Sequence, residues 1–242
     1  MKAKRSLGQN FFINKNLGEH IINIVSENKC KNIVEIGPGM GFFTKYLIER
    51  FENTILIEKD TSLVQNLKIQ FPKASIVNDD FLDISLKDII QQDSMFFGSL
   101  PFNVSKPIIR KIIESNLFKY PSFFIVQKEV AQKYIYRAPY SSLSLTTALY
   151  ANTKHILDIS RDSFRPKPNV TSSLISFTPR DIKIKDVKGI EELITLSFRQ
   201  PRKNIKNNLK NTRYLKGSSK YELLRPAQLS LDEYINIYEY SH

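Results

Sequence analysis

Short apolar runs alternate with segments of helical period along most of this chain, and that alternation limits the possible folds more than any other feature. NIVEI (32–36), TILIE (54–58), ASIV (74–77), SMFF (94–97) and SFFIVQ (122–127) have the length and the β-branched or aromatic content of strands covered on both faces. LGEHIINIVSEN (17–28), FFTKYLIERF (42–51), SLVQNLKIQF (62–71), SLKDII (85–90) and KPIIRKIIES (106–115) carry apolar residues every three or four positions, as do KEVAQKYI (128–135) and SLSLTTALYAN (142–152). Strand and helix in this order predict an α/β fold, a mainly parallel sheet with helices on both faces. HILDIS (155–160) and SSLISFTPR (172–180) follow with no helix between them, only FRPKPN (164–169), which predicts an antiparallel hairpin at the sheet edge. Beyond Arg180 a charged linker-like stretch, DIKIKDVKG, leads into IEELITLSFRQ, PRKNIKNNLK, SSKYELLR and SLDEYINIYEY, all of helical pattern. The expected division is therefore a domain over 1–180 and a small all-helical domain over 181–242.

The charge balance points to a partner. There are 36 Lys and Arg against 24 Asp and Glu, a net charge of +12. An excess of this size on a folded chain is the footprint of a polyanion, and nucleic acid is the first expectation. No apolar run approaches the ~20 residues of a membrane span. The basic N-terminus, MKAKRSLGQNFF, lacks the apolar region of a secretory signal. The one cysteine, Cys30, excludes a disulfide framework, and His20, His155 and His242 are scattered, so no metal site is expected. These readings predict a cytoplasmic protein without membrane attachment, and a monomer.

The polar residues that matter stand where strands end. In an open α/β sheet, ligands bind beyond the carboxyl ends of the strands. The first of these strands runs into Glu35, Gly37, Gly39 and Gly41, a turn that lets the backbone approach a ligand closely. The dinucleotide fingerprint needs a glycine at 42, where Phe42 stands, so a nicotinamide cofactor is not expected. The pattern is closer to the tight glycine loop of S-adenosyl-L-methionine methyltransferases. The second strand ends at Glu58, which can grip ribose hydroxyls, and the third leads to Asp80 and Phe81, suited to an adenine amino group and ring. The strand ending in FFGS leads into Ser99, Leu100, Pro101 and Phe102. An exocyclic adenine amine is a poor nucleophile because its lone pair is delocalised. The Ser99 hydroxyl and Leu100 carbonyl are candidate acceptors for its hydrogens, Pro101 stiffens the turn, and Phe102 offers a face for a flipped-out base. Arg199, Arg202, Lys203, Lys206, Lys210, Arg213 and Lys216 recur every three or four positions, predicting a helix with one basic face. Lys2, Lys4 and Arg5 add to the basic surface. Contacts of this kind position RNA through its phosphates.

Across nearly its whole length the sequence resembles the KsgA-type small-subunit rRNA adenine N6,N6-dimethyltransferases, with the Erm rRNA methyltransferases as cousins. The matching segments include SLGQNFFIN (6–14), VEIGPGMG (34–41), LIEKD (56–60), NDDFL (78–82), GSLPFNVSKPII (98–109), FRPKPNVTSSLISF (164–177), FRQPRKNIKNNL (198–209) and RPAQLSLDEY (225–234). The resemblance implies a Rossmann-like methyltransferase sheet and S-adenosyl-L-methionine as cofactor. It also implies an immature small ribosomal subunit as partner, with two adjacent adenines near the 3′ end of its rRNA as targets. It places Gln9, Asn10 and Phe12 over the cofactor, Gly37 and Gly39 at its methionine end, Glu58 at its ribose and Asp80 at its adenine. Ser99, Leu100, Pro101 and Phe102 would hold the target adenine, with Ser99 also touching the cofactor and Phe164 on the substrate side. The family usually carries Asn where this chain has Ser99, and the loop over 136–142 is shorter than its norm. An Erm-type large-subunit enzyme and a noncatalytic rRNA-binding assembly factor are the alternative readings.

Overall fold

The computed structural model describes residues 10–90, 93–115, 117–181 and 184–241. Gln9, Lys2, Lys4 and Arg5 lie outside the described residues. The chain divides into two compact units. One runs to Gln132 and resumes over Lys154–Pro179; the other contains Lys133–Thr153 and the chain from Arg180 onward.

The first unit begins with β1 (Phe11–Phe12) and α1 (Lys15–Ser26). It continues through β2 (Asn32–Ile36), α2 (Thr44–Arg50), β3 (Asn53–Ile57), α3 (Thr61–Gln70) and β4 (Ser75–Val77). Next come α4 (Leu86–Ile89), β5 (Met95–Ser99), α5 (Ser105–Ile113), β6 (Ser122–Gln127) and α6 (Lys128–Tyr134). Seven strands form one sheet in the order β4-β3-β2-β5-β6, then β9 (Ser172–Pro179), then β7 (Ala151–Ile159). β2 to β6 pair in parallel, with Val34 opposite Ile55 on one side and Phe96 on the other. β9 is antiparallel to β6, with Ile125 opposite Leu174. The central strands are apolar runs because helices cover both faces: Val34, Phe96 and Phe97 are fully buried. Caps fix the helix starts. The Asn14 side chain accepts from the Leu17 N–H at 3.2 Å to open α1, and Asp60 accepts from the Ser62 N–H at 3.0 Å to open α3.

Two short strands add a feature that the sequence pattern does not predict. β1 pairs antiparallel with β8 (Phe164–Arg165), which follows a 3-10 turn over Arg161–Ser163. The Ile13 N–H donates to the Ser163 carbonyl at 2.8 Å and extends the clasp. Phe12 and Phe164 meet edge to face at 5.1 Å, and Phe42 and Phe43 close around Phe12 at 5.0 and 4.8 Å. They join the core formed by Ile21, Val25, Leu47, Met95 and Phe97.

The second unit gathers α7 (Ser142–Thr147), α8 (Val187–Ser197), α9 (Ile205–Leu209) and α10 (Leu231–Glu239) around Leu145, Leu193, Ile194, Leu209, Tyr234 and Ile237. Three sequence expectations change here. Residues 133–153, expected with the first domain, belong to this unit because Leu145, Ala148 and Leu149 pack in its core. The helix expected over 142–152 stops at Thr147, and Ala151 already begins β7. The basic helix expected across 199–216 is instead a turn, a five-residue helix and another turn. Asn204 is the helix N-cap, accepting from the Asn207 N–H at 3.1 Å, so the helix starts after it and does not run back through 199–203, which form bends and turns. The buried amide of Asn208 fastens the turn, accepting from the Gln200 N–H and donating to the carbonyls of Gln200, Lys203 and Asn204 at 2.9–3.2 Å. Pro201 lies in that turn. No described helix is long and apolar enough to cross a membrane.

Candidate active site

A cavity of about 260 Å³ opens in the first unit at the carboxyl ends of β2, β3, β5 and β6. Gly37 and Gly39 form one side, both in the left-handed region with φ of +66° and +59°. An L side chain is strained there, and a Cβ on Gly39 would stand 3.2 Å from the Phe11 ring. Glu58, at the end of β3, is almost fully buried and fixed by two backbone donors. The Gly39 N–H gives 3.1 Å to Oε2 and the Asp60 N–H 2.9 Å to Oε1. Burial pushes its pKa upward, against the opposing hydrogen bonds from Asp60 and Gly39. The Lys59 backbone N–H also hydrogen-bonds this carboxylate, and of its roughly four acceptor sites one is left for a hydroxyl donor.

Beyond β4, Asp79, Asp80 and Phe81 line the next wall. Asp80 Oδ1 accepts from the Leu82 N–H at 2.9 Å, and Oδ2 accepts from Lys59 Nζ at 2.5 Å. The Lys59 ammonium, foremost, holds the Asp80 carboxyl below its ordinary range. The opposite wall is the turn after β5. Ser99, Leu100, Pro101 and Phe102 all line the cavity. The Leu100 N–H is anchored on the Ile125 carbonyl at 3.0 Å, and the Pro101 carbonyl accepts from Val104 at 3.2 Å. Asn10 and Phe164 complete the lining from the β1–β8 clasp.

Two residues expected at the cofactor stand elsewhere. Glu35 does not line the cavity; it is buried behind the glycine turn and accepts from Thr44 Oγ1 at 2.6 Å. Desolvation raises its pKa to about 8. Phe12 points into the aromatic core, so its neighbour Phe11 faces the cavity, because successive residues of a strand point to opposite sides. Phe11, Lys59, Asn103 and Ile108 are lining residues that the motif reading passed over. Three of them adjoin residues it singled out, and Ile108 reaches the cavity through the helical return of α5. Arg199, Arg202, Lys203, Lys206 and Lys210 belong to the second unit and do not line the cavity; all are exposed. Lys206 pairs with Glu222 at 3.0 Å, and Arg213 with Glu192 at 2.6 Å.

A close-approach glycine turn, a fixed carboxylate and an acidic, aromatic wall follow one another around one side of the cavity. The turn after β5 lines the other side. Solved structures share the fold. The 23S rRNA methyltransferase ErmE superposes with a TM-score of 0.76 at 20% identity, over 95% of this chain and 98% of that one. A dimethyladenosine transferase from Plasmodium falciparum gives 0.82 at 17%, over 94% and 95%. Curated relatives are nearer in sequence. The ribosomal RNA small subunit methyltransferase A of Pelagibacter ubique is 36% identical across 98% of this chain and 96% of its own length. That of Mycoplasma mycoides is 33% identical across 98% and 97%. The sequence profile of the ribosomal RNA adenine dimethylases matches residues 1–240, and the chain belongs to that family.

Proposed function

We propose that this protein transfers methyl groups from S-adenosyl-L-methionine to the N6 amines of two adjacent adenines near the 3′ end of small-subunit rRNA, acting on a partly assembled subunit. The observation that carries this reading is that the Gly37–Gly39–Glu58 cradle and the Ser99–Phe102 turn face one cavity. When bound, the cofactor supplies an electrophilic methyl group on its sulfonium. Glu58 receives a ribose hydroxyl on the acceptor site that its backbone donors leave free. Asp80 receives the adenine amine, and Phe81 packs against the ring. On the other side, the Ser99 hydroxyl and Leu100 carbonyl accept from the target amine, which favours a pyramidal nitrogen and frees its lone pair for attack. Phe102 stacks on the flipped base. No strong general base is needed, because the nitrogen sheds its proton after the methyl arrives. The exposed cations of the second unit hold rRNA by its phosphates.

The test incubates the protein and labelled cofactor with unmethylated small subunits, large subunits or naked rRNA, followed by nuclease digestion and mass spectrometry. Dimethyladenosine from small subunits alone is the expected result. Ser99→Ala should slow transfer about tenfold, the value of one hydrogen bond. Product from large subunits alone would instead assign an Erm-type target. Cofactor binding with no labelled RNA would leave a binding protein without turnover.

A further inference from the structure

Lys111 belongs to none of the motifs and does not line the cavity, yet it joins two of the cavity's walls. Its ammonium donates to three backbone carbonyls, those of Phe81 and Leu82 at 2.8 Å and of Ile84 at 2.5 Å. It also lies 5.5 Å from the centre of the Phe81 ring. An ammonium has three hydrogens, and three carbonyls take them. The loop they belong to is tightly wound. The Asp83 and Ile84 N–H groups turn back to the Asp80 carbonyl at 2.9 and 3.3 Å, and the Leu82 N–H turns to the Asp80 carboxylate. That winding aims three carbonyl dipoles at one point, an arrangement that repels itself without a cation at the centre. The same charge helps keep Asp80 ionised. Lys111 is carried by α5, which starts three residues after Phe102. Its neighbours Ile109 and Ile112 are fully buried, so the helix is a rigid mount.

We propose that Lys111 is a positioning residue. It holds the loop bearing Asp80 and Phe81 in the shape that recognises the cofactor's adenine, and fixes that loop to the helix leading from the target-base turn. The inference rests on the cofactor reading above. A lysine in this role acts on recognition of the 6-amino group more than on overall affinity. Its loss lets the loop relax, and Asp80 and Phe81 leave their places while the glycine turn and Glu58 stay in theirs.

The experiment measures, by calorimetry, the binding of S-adenosylhomocysteine and of S-inosylhomocysteine, which has an oxo group in place of the 6-amine. Wild type, Lys111→Met and Lys111→Arg are compared, each with a thermal melt. Wild type should prefer the amino compound. Lys111→Met should weaken the amino compound about tenfold and the inosine compound about twofold or less, so the preference largely disappears. Lys111→Arg should restore most of it, since guanidinium N–H groups also donate to carbonyls. In turnover, KM for the cofactor should rise while kcat at saturation changes less than about twofold. An unchanged preference in Lys111→Met, or an equal loss for both compounds, would overturn the role. Should that variant not fold, Lys111→Gln, which keeps two donors without the charge, carries the same two outcomes. If wild type binds neither compound, the cofactor reading falls first and this inference with it. Wild-type binding with an unchanged preference in the variant overturns the role of Lys111 alone.

Discussion

Two buried carboxyls stand near the glycine turn, and they are held by different means. Glu58 is held by backbone N–H donors and faces the cavity; Glu35 has one hydroxyl donor, from Thr44, and faces the interior. Desolvation dominates at Glu35, and the folded protein keeps its proton up to about pH 8, against an ordinary value of 4.5. Between those values the folded state binds a proton that the unfolded chain has released. Stability from this group therefore falls as pH rises, by up to about 1.4 kcal/mol per pH unit, and levels off above the folded value. Glu35→Gln removes that dependence. Urea unfolding of the two proteins at pH 6, 7 and 8 should show the variant gaining steadily on wild type. A constant difference across that range would mean that Glu35 is ionised throughout in the fold.

Among the elements, the β1–β8 clasp contributes most to the cavity for its size. It brings Asn10 and Phe11 to one wall and seats Phe164 between the cavity and the Phe12–Phe42–Phe43 cluster. Phe164→Ala should cost about 3–5 kcal/mol of unfolding free energy, while Phe164→Leu, which keeps most of the volume, should retain the larger part. Denaturant titration of both variants checks this. The long elements were readable in the chain because each buries a continuous run or a full helical stripe. NIVEI, TILIE and SFFIVQ are apolar through most of their length for that reason, with polar residues mainly at their ends. The clasp was not, since a two-residue strand has no periodicity and its partner lies far along the chain. The basic stretch misled in the opposite way. Cations at spacings of three and four satisfy a helical pattern but bury nothing, while the capping by Asn204 and the amide of Asn208 decide the local backbone. Phe11 and Phe12 show the same limit at finer grain: two identical neighbours give no sign of which faces the cavity. Lys111 was unreadable because a lone lysine on a helix has the look of a solvated face until its three carbonyls are seen.

For the whole molecule, the net charge of +12 sets the character of any encounter with RNA. In the second unit, Arg199, Arg202, Lys203 and Lys210 are exposed and make no ion pair among the described residues, so their charge is free to meet phosphates. Binding to rRNA should weaken linearly in log affinity against log salt. Replacing Arg202 or Lys203 by Ala should reduce that slope by about one each, with little change in cofactor affinity. Filter binding across a salt series measures it; an unaltered slope would place the phosphate contacts elsewhere. The β1–β8 clasp also has a consequence for how the protein comes into being. Asn14 and Ser163, which join across it, are 149 residues apart in the chain. Closing a loop of that length costs about 4 kcal/mol in chain entropy beyond a constant, and the contact cannot form until the partner residues have been synthesised. β9, which pairs with β6, is made later still. A nascent chain that has completed β2 to β6 thus holds the glycine turn, Glu58, Asp80 and the Ser99–Phe102 turn without one wall of the cavity. The binding chamber is finished only once Phe164 has been made and has met Phe12, so the cofactor meets a complete cavity only after that step.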